Sequence, residues 1–202
     1  MLFDLIVYDG VDELDVVGPL EVLRRAGALG ADLGARLCSR LPDEEVTGAF
    51  GLELHPDGAF VPGRADVVVV PGGGWVARAD NGAWAEVNRG HWLALLAEAA
   101  ASGSVMAGVC TGALLLAHAG VIGARRATTH RDARADLAAL GATVVPQRVV
   151  DEGQLVTSGG VTSGLDLALW LVQRFFGPSL ADLVAEGLEY PWVSPAAQAS
   201  QV

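Results

Sequence analysis

The chain has 202 residues, of which 51% are hydrophobic, and its formal net charge is −11. That length suits one α/β domain with a full core, and the acidity argues against a nucleic-acid surface, which needs a basic patch. No uncharged apolar run reaches the roughly 18 residues that cross a membrane, and the first residues lack the pattern of a signal peptide. The two cysteines, Cys38 and Cys110, make no disulfide framework, so we expect a cytoplasmic protein with reduced thiols.

Apolar and β-branched runs predict buried strands along most of the chain. We predict strands over residues 2–8, 35–39, 65–70, 104–107, 126–130 and 154–157, strand material at 144–145 and 148–150, and a short hairpin at 46–54. Helical spacing predicts helices over residues 20–26, 84–101, 112–120, 132–140 and 163–176, and a last helix from a Ser179 cap to Gly187. Gly18 and Pro19 fit a kink or restart just before the first of these helices.

Strands alternate with helices along this order. The alternation predicts a mostly parallel sheet with helices on both faces and right-handed crossovers. We expect one domain over residues 1–190, followed by a tail at 191–202 that is rich in proline and small residues and is partly disordered.

The segment of residues 108–112, Gly-Val-Cys-Thr-Gly, joins an apolar strand to an apolar helix. Glycine two residues before and after Cys110 suits a sharp strand-to-helix turn with a strained central residue. The first N–H groups of the following helix favour negative charge, so we expect the Cys110 thiol to lose its proton more easily than a free cysteine. The segment is compatible with a nucleophilic cysteine or with a small core thiol.

Two further features follow strand ends. Asp15 is an acid between Leu14 and Val16, close after the first strand, and is either a site carboxyl or a solvated residue at a helix start. Gly72, Gly73 and Gly74 directly follow the strand at 65–70. Their sequence matches neither a phosphate-binding loop nor a dinucleotide-binding fingerprint. Two interpretations remain: a pocket for an anion or oxyanion, or a tight loop with no binding function.

His130 ends a predicted short strand, and Gly160 lies in a second loop of small residues, so both are candidates for the same cleft. The four histidines have no metal-ligand spacing, and we expect neither a metal nor another cofactor. Together these features supply a nucleophile, an acid and oxyanion donors, which are the parts of nucleophilic catalysis.

Five ordered motifs carry a resemblance to a known family. They are LDVVGPLEV at 14–22, VPGG at 70–73, VCTGA at 109–113, ATTH at 127–130 and TSGGVTSGLD at 157–166. In this order the chain resembles the ThiJ/PfpI superfamily from Leu5 to about Tyr190. The resemblance implies a flavodoxin-like three-layer sandwich, a nucleophile elbow at Cys110, and a homodimer. Trp75, Trp84 and Trp92 are large apolar residues close together in the sequence, which suits either a dimer interface or the core equally well.

Within the superfamily the chain is most similar to the isonitrile hydratase branch. Asp15 stands where many relatives carry glutamate, and Thr111 follows the cysteine where protease-like members have histidine. Residues 188–190 are also similar, whereas Arg131 follows His130 at a position where an aromatic residue is expected.

This branch implies a cysteine-dependent hydro-lyase that adds water to a small isonitrile and releases an N-substituted formamide. Cys110 would attack the isonitrile carbon to form a thioimidate, and Asp15, protonated through burial against Leu14 and Val16, would deliver the proton. Thr111 would position water or the thiolate, and the N–H groups of Gly73 and Thr111 would stabilise developing charge.

Other functions remain open. Glyoxalase- or deglycase-like chemistry on reactive aldehydes would use the same cysteine. A sensory domain of the kind found in transcription regulators needs no catalysis, but we expect no DNA-binding domain in this acidic chain. Oxidation of Cys110 in a redox sensor is compatible with catalysis. A protease is disfavoured by Thr111.

Overall fold

The computed structural model describes residues 1–42 and 44–194. Its strands are β1 Leu2–Ile6, β2 Gly34–Ser39, β3 Val46–Thr47, β4 Glu53–Leu54, β5 Gly58–Ala59, β6 Val67–Val70, β7 Val105–Gly108, β8 Arg126–Ala127, β9 Thr143–Val144, β10 Val149–Asp151 and β11 Leu155–Ser158. Its α-helices are α1 Glu13–Ala28, α2 Ala83–Arg89, α3 His91–Ala101, α4 Gly112–His118, α5 Arg134–Ala139, α6 Ser163–Phe176 and α7 Pro178–Gly187.

The central sheet has seven strands in the order β10-β11-β7-β6-β1-β2-β5. Every neighbouring pair is parallel except β10 with β11, so the predicted mostly parallel sheet is confirmed. Helices α1, α6 and α7 pack together, and α2, α3, α4 and α5 form a second group. The predicted flavodoxin-like sandwich, with helices on both faces, is the observed architecture.

Strand order reverses between β1 and β6. The chain runs from β1 to β2 in one direction and from β6 to β7 in the other. Right-handed crossovers then put the connecting helices on opposite faces, and the loops after β1 and β6 diverge at the carboxyl edge of the sheet. This divergence opens a crevice where ligands bind in open α/β sheets.

The middle of the sheet is buried on both sides. All four valines of β6 are at most 1% exposed, as the run of β-branched residues predicts for a central parallel strand. The predicted hairpin at 46–54 is present as the antiparallel pair β3 and β4.

The first helix differs from the prediction. It begins at Glu13 rather than Leu20 and continues through Pro19 without a break. Proline removes one helical hydrogen bond. Pro19 is nevertheless buried and packs against α6: a Cβ added at Gly164 would lie 3.2 Å from the Pro19 ring. The tight α1–α6 contact therefore favours the uninterrupted helix.

Other predicted boundaries were also wrong. The helix predicted over 84–101 is split at Gly90, whose φ of 74° is in the left-handed region that ends α2. Helix α7 begins at Pro178, with Gly177 rather than Ser179 at its N-cap. Strand β8 ends at Ala127, so His130 lies in the following connection instead of at a strand end. Of the predicted tail, residues 195–202 lie outside the described residues.

The described helices include none that is both long enough and apolar enough to span a membrane. Two of the three tryptophans named as interface candidates belong to the interior. Trp75 is 5% exposed and Trp92 is 1% exposed, and only Trp84 of the three is partly exposed. Burial therefore removes Trp75 and Trp92 as interface residues.

Candidate functional site

Three chain segments meet at the crevice beside the reversal of strand order. They are the start of α1 after β1, the glycine loop after β6, and the turn between β7 and α4. The hydrogen bond from Asp12 N–H to Gly72 O, at 2.9 Å, joins the first two segments. The Gly73 N–H donates to Thr111 Oγ1 at 3.0 Å and joins the second to the third.

Cys110 occupies the strained turn that its glycine neighbours predict. Its φ is 53°, in the left-handed region that costs a non-glycine residue about 1 kcal/mol or more. Its N–H donates to Gly159 O at 3.0 Å, and its carbonyl accepts from Thr129 Oγ1 at 2.8 Å. These two bonds hold the backbone in the turn, which projects the thiol from the carboxyl edge of the sheet.

Asp15 lies behind the cysteine and is fully buried. Its Oδ2 accepts from the Gly72 N–H at 2.9 Å. Its carboxyl lies close enough to Cys110 for each group to influence the pKa of the other. Among the described residues, Oδ1 has no hydrogen-bond partner. Burial, with the nearby charge of Asp12, raises the pKa of Asp15 well above its usual value.

The predicted burial of Asp15 is confirmed, but Leu14 does not provide it. Leu14 is 37% exposed and lies on the outer side of α1, whereas Val16 is fully buried. The alternative of a solvated carboxylate at a helix start is excluded by the same burial. A buried carboxyl with an elevated pKa retains a proton and can serve as an acid near neutral pH.

The expected acidic thiol was wrong. Burial, reinforced by the Asp15 carboxylate, raises the pKa of Cys110 above that of a free cysteine. The backbone N–H groups of Val161 and Thr111 oppose this increase. Desolvation outweighs the helix N-terminus here because Cys110 is 5% exposed and α4 spans only seven residues.

The glycine loop approaches the cysteine turn so closely that side chains would not fit. A Cβ at Gly72 would collide with Thr111 Oγ1 and lie 2.6 Å from the Thr111 nitrogen. Gly73 has a φ of 133°, and a Cβ there would lie 2.6 Å from the Asp12 nitrogen. The Gly73 N–H, predicted as an oxyanion donor, is instead committed to Thr111 Oγ1.

The thiol opens into a cavity of about 260 Å³. Lining residues that the sequence predicted are Cys110, Thr111, Gly73, Gly74 and His130; the others are Asp12, Trp75, Val76, Ala77 and Val161. Asp15 and Gly72 do not line this cavity but lie directly behind it. Arg131, expected to alter the pocket wall, is exposed and lies outside this cavity.

Gly160 belongs to a neighbouring cavity of about 380 Å³ that also includes His130 and Val161. A Cβ at Gly160 would collide with the His130 ring, so the ring packs directly on this glycine. His130 Nδ1 accepts from the Asp132 N–H at 3.3 Å. The imidazole therefore stands between the two cavities.

Sequence reasoning missed three residues of the site. Asp12 lines the cavity with its carboxylate while also capping α1 through a 3.2 Å bond from the Leu14 N–H. Val161 directs its N–H at the Cys110 sulfur, and its φ of 38° is unusual for a β-branched residue. Thr129 holds the Cys110 carbonyl. Asp12 had a visible signal as a helix cap, whereas the other two act through distant backbone contacts.

Metal ligands do not gather in the part of the chain that the structure describes: no group of three or more His, Cys, Asp or Glu side chains there is placed to hold an ion. The groups that converge on the cavity are instead a thiol, a buried carboxyl, a hydroxyl and backbone N–H donors. They can support attack on a small electrophile, proton transfer to it, and stabilisation of the resulting negative charge.

Comparison with known proteins gives three findings. The model of the family described as DJ-1/PfpI matches residues 4–174. An isonitrile hydratase from Pseudomonas putida is 34% identical over 201 residues, which cover 94% of this chain and 78% of that protein. The HTH-type transcriptional regulator CdhR of Pseudomonas aeruginosa is 30% identical over 187 residues, covering 91% of this chain but 53% of the regulator.

Among solved structures, a THiJ/PfpI family protein from Pseudomonas syringae has a TM-score of 0.83. It is 29% identical to this chain, and the match covers 96% of this chain and 76% of that one. The shared fold therefore extends over nearly all of the residues described above.

Proposed function

This chain belongs to the DJ-1/PfpI family, and from that premise we propose that it is a cysteine-dependent isonitrile hydratase. The observation that carries the proposal is the fully buried Asp15 carboxyl, held by the Gly72 N–H behind the Cys110 thiol that lines a small cavity. The isonitrile carbon accepts both a nucleophile and a proton, and this pair supplies both to one atom. The similarity to the Pseudomonas putida isonitrile hydratase supports the same reaction.

In the first step the Asp15–Cys110 pair reacts in the state in which it holds a single proton, on Asp15, and the Cys110 thiolate attacks the terminal carbon of the isonitrile. A carbon–sulfur bond forms, and the same carbon takes the proton of the Asp15 carboxyl. The product is a thioimidate, and Asp15 becomes a carboxylate. The raised pKa of Asp15 makes this proton available at neutral pH, because burial disfavours the charged form beforehand.

In the second step water adds to the thioimidate carbon. Asp15 takes one proton from the water as the carbon–oxygen bond forms and passes it to the nitrogen. The carbon–sulfur bond then breaks, the hydroxyl becomes a carbonyl by returning its proton to Asp15, and an N-substituted formamide leaves. One water is consumed, and Cys110 and Asp15 return to their starting states.

The surrounding groups support the charged states of this cycle. The N–H groups of Val161 and Thr111 face the sulfur and stabilise the thiolate as it attacks and as it leaves. Thr111 fixes the glycine loop through its bond from the Gly73 N–H, which keeps the Gly72 N–H on Asp15. Thr111 is accordingly a positioning residue.

The decisive experiment measures formamide release from an aromatic isonitrile by the intact protein, by Cys110→Ala and by Cys38→Ala. Cys38 is the matched control, because it is a buried cysteine in β2, three strands away from β7, and does not line the cavity. We expect turnover by the intact protein and by Cys38→Ala, and none by Cys110→Ala. If the intact protein releases no formamide, the substrate proposal fails; if Cys110→Ala matches it, the mechanism fails.

A sensory function is the second candidate, favoured by the 30% identity to a transcriptional regulator. A binding domain would hold a ligand in the same cavity without turnover. Saturable binding of an isonitrile with no product would favour it over the hydratase. Aldehyde chemistry is tested in the same assay series with methylglyoxal as substrate.

We further propose one domain over residues 1–190, a cytoplasmic location and a homodimer. The dimer rests on the family resemblance, with Trp84 the partly exposed candidate among the three tryptophans. Size-exclusion chromatography with light scattering gives its mass directly, and a monomer at micromolar concentration would contradict it.

A further inference from the structure

Arginine side chains gather around the cavity next to the one that contains Cys110. We call it the basic cavity; its volume is about 380 Å³, and its lining includes Arg131, Arg134 and Arg148 together with the imidazole of His130. All 13 cationic side chains of this acidic chain are arginines, and three of them lie here. Such a concentration is notable in a protein whose net charge is −11.

Arg134 is the least compensated of these arginines. Its Nε is buried and has no hydrogen-bond partner among the residues the structure describes. Nor does its guanidinium form an ion pair within that part of the chain, although Asp132 and Asp136 are close in sequence. Asp136 instead accepts from the Trp75 indole at 2.7 Å. A buried guanidinium nitrogen without an acceptor is costly unless a ligand supplies one.

The other two arginines are partly committed. Arg148 donates to Asp166 through Nε at 3.1 Å, and its Nη2 also contacts Asp166, Tyr190 and Thr162. This network fixes the guanidinium at the rim of the basic cavity. Arg131 is 79% exposed and has one long ion pair with Asp132 at 3.6 Å. The basic cavity therefore combines three arginines: Arg148, held by Asp166; Arg131, exposed; and Arg134, unpartnered among the described residues.

The two cavities are neighbours through shared residues. His130 and Val161 line both of them, and Val161 also directs its N–H at the Cys110 sulfur. Their charges differ, because the Cys110 cavity contains the Asp12 carboxylate and no arginine. A ligand spanning both would place a neutral reactive end at Cys110 and an anionic end in the basic cavity.

We propose that the basic cavity binds the carboxylate of a carboxylate-bearing isonitrile, held by Arg134 with Arg131 and Arg148 while the isonitrile carbon meets Cys110. A planar guanidinium matches a carboxylate with two parallel hydrogen bonds, and Arg134 lines the basic cavity without an ion-pair partner among the described residues. This inference deepens the proposed function and rests on it for the reacting group. The choice of carboxylate rests on the basic cavity alone.

The test compares 4-isocyanobenzoate with 4-isocyanobenzamide, which share the ring and the reacting group and differ in charge. The intact protein is expected to have a kcat/KM about tenfold to hundredfold higher for the carboxylate, as expected for hydrogen bonds to a charged group. Arg134→Gln should abolish that preference, mainly by raising KM for the carboxylate, and should affect the amide much less. Arg64→Gln is the matched control, because Arg64 is exposed and lies outside both cavities.

A binding arm separates this inference from the hydratase proposal. Calorimetry with the products, 4-formamidobenzoate and 4-formamidobenzamide, measures the same preference without turnover. We expect the intact protein and Arg64→Gln to bind the carboxylate product more tightly than the amide. Arg134→Gln should lose this preference, and Arg134→Lys should regain most of it. This pattern supports the basic cavity even if neither isonitrile is hydrated. Equal binding of the two products, or a preference that survives Arg134→Gln, would overturn it.

Discussion

The Asp15 carboxyl and the Cys110 thiol are neighbours, and both are nearly removed from solvent, at 0% and 5% exposed. Burial raises the pKa of each, and an ionised Asp15 raises the pKa of Cys110 further. The two groups therefore hold protons jointly, and a charge on one disfavours a charge on the other. This arrangement keeps an acid available beside a thiol instead of maintaining a permanent thiolate.

The first prediction concerns the alkylation of Cys110. Because the pKa of its thiol is raised, the rate with iodoacetamide at pH 7 should be below that of a free cysteine and should still be increasing above pH 9. Asp15→Asn removes the negative neighbour and should shift the profile to lower pH. Intact-mass spectrometry across pH 6–10 measures both.

Cys38 is the internal control in the same spectra. It is fully buried, lines none of the cavities described above, and burial raises its pKa to about 12. Cys110 should be alkylated first at every pH. A Cys110 profile with its midpoint below that of free cysteine would contradict the assignment of desolvation as the dominant effect.

The second prediction concerns stability against pH. A carboxyl whose pKa in the folded state exceeds its unfolded value of about 3.9 contributes stability that is fully present below that value and is lost as pH rises through the folded pKa. Asp15 is such a group. The Tm of Asp15→Asn should therefore increase relative to that of the intact protein as pH rises from 4 to 8. The increase should be about 2–4 °C for each kcal/mol of unfolding free energy that the intact protein loses.

Differential scanning calorimetry between pH 4 and 8 tests this difference. Asp182→Asn is the matched control, because Asp182 is exposed on α7 and should leave the difference flat. An intact protein that becomes more stable than Asp15→Asn as pH rises would reverse the sign and refute the argument. Hydration activity should fall in Asp15→Asn, so stability and function should change in opposite directions.

The third prediction separates the hydroxyl of Thr111 from its shape. Thr111→Val keeps the side-chain volume but leaves the buried Gly73 N–H without its 3.0 Å acceptor. We expect a loss of about 1–3 kcal/mol in the free energy of unfolding and a clear decrease in kcat. Thr111→Ser retains the acceptor and should recover most of both. If the valine and serine variants were equally active, the hydroxyl of Thr111 would not position the glycine loop for catalysis.

The fourth prediction concerns the close approach of α4 to β6. A Cβ at Gly112 would collide with the Val70 carbonyl oxygen and lie 2.7 Å from that of Pro71, both of which are backbone atoms. Gly112→Ala should therefore reduce the free energy of unfolding by about 1–3 kcal/mol and displace the cysteine turn. Urea denaturation measures the loss.

Gly34→Ala is the control for this variant. A Cβ at Gly34 would meet only the flexible end of Leu2 at 3.4 Å, and neither glycine has a positive φ in the left-handed region. Gly112 begins helix α4, where alanine is intrinsically favoured over glycine, so a loss of stability in Gly112→Ala would come from the steric contact. If both variants were equally stable, the tight contact between the turn and β6 would not be a determinant of the fold.

The amino-acid sequence by itself determined the layered fold and the position of the cysteine turn. The four consecutive valines of β6 have no polar face, so they are stable only in the middle of a covered parallel sheet. Glycines 108 and 112 leave room for a tight turn, and Cys110 has the positive φ that such a turn demands. These are local consequences of side-chain size and polarity, which is why they can be read from the order of residues.

Only the tertiary structure decided the ionisation of the site and the extent of its pocket. The expected acidic thiol was wrong because the pKa of Cys110 depends on burial and on Asp15, which lies 95 positions away in the chain. The Gly73 N–H was assigned to the substrate but is bonded to Thr111, and Arg134 gained a role only where its buried Nε faces no acceptor. Desolvation and hydrogen-bond satisfaction depend on groups brought together from distant segments, so no local pattern specifies them.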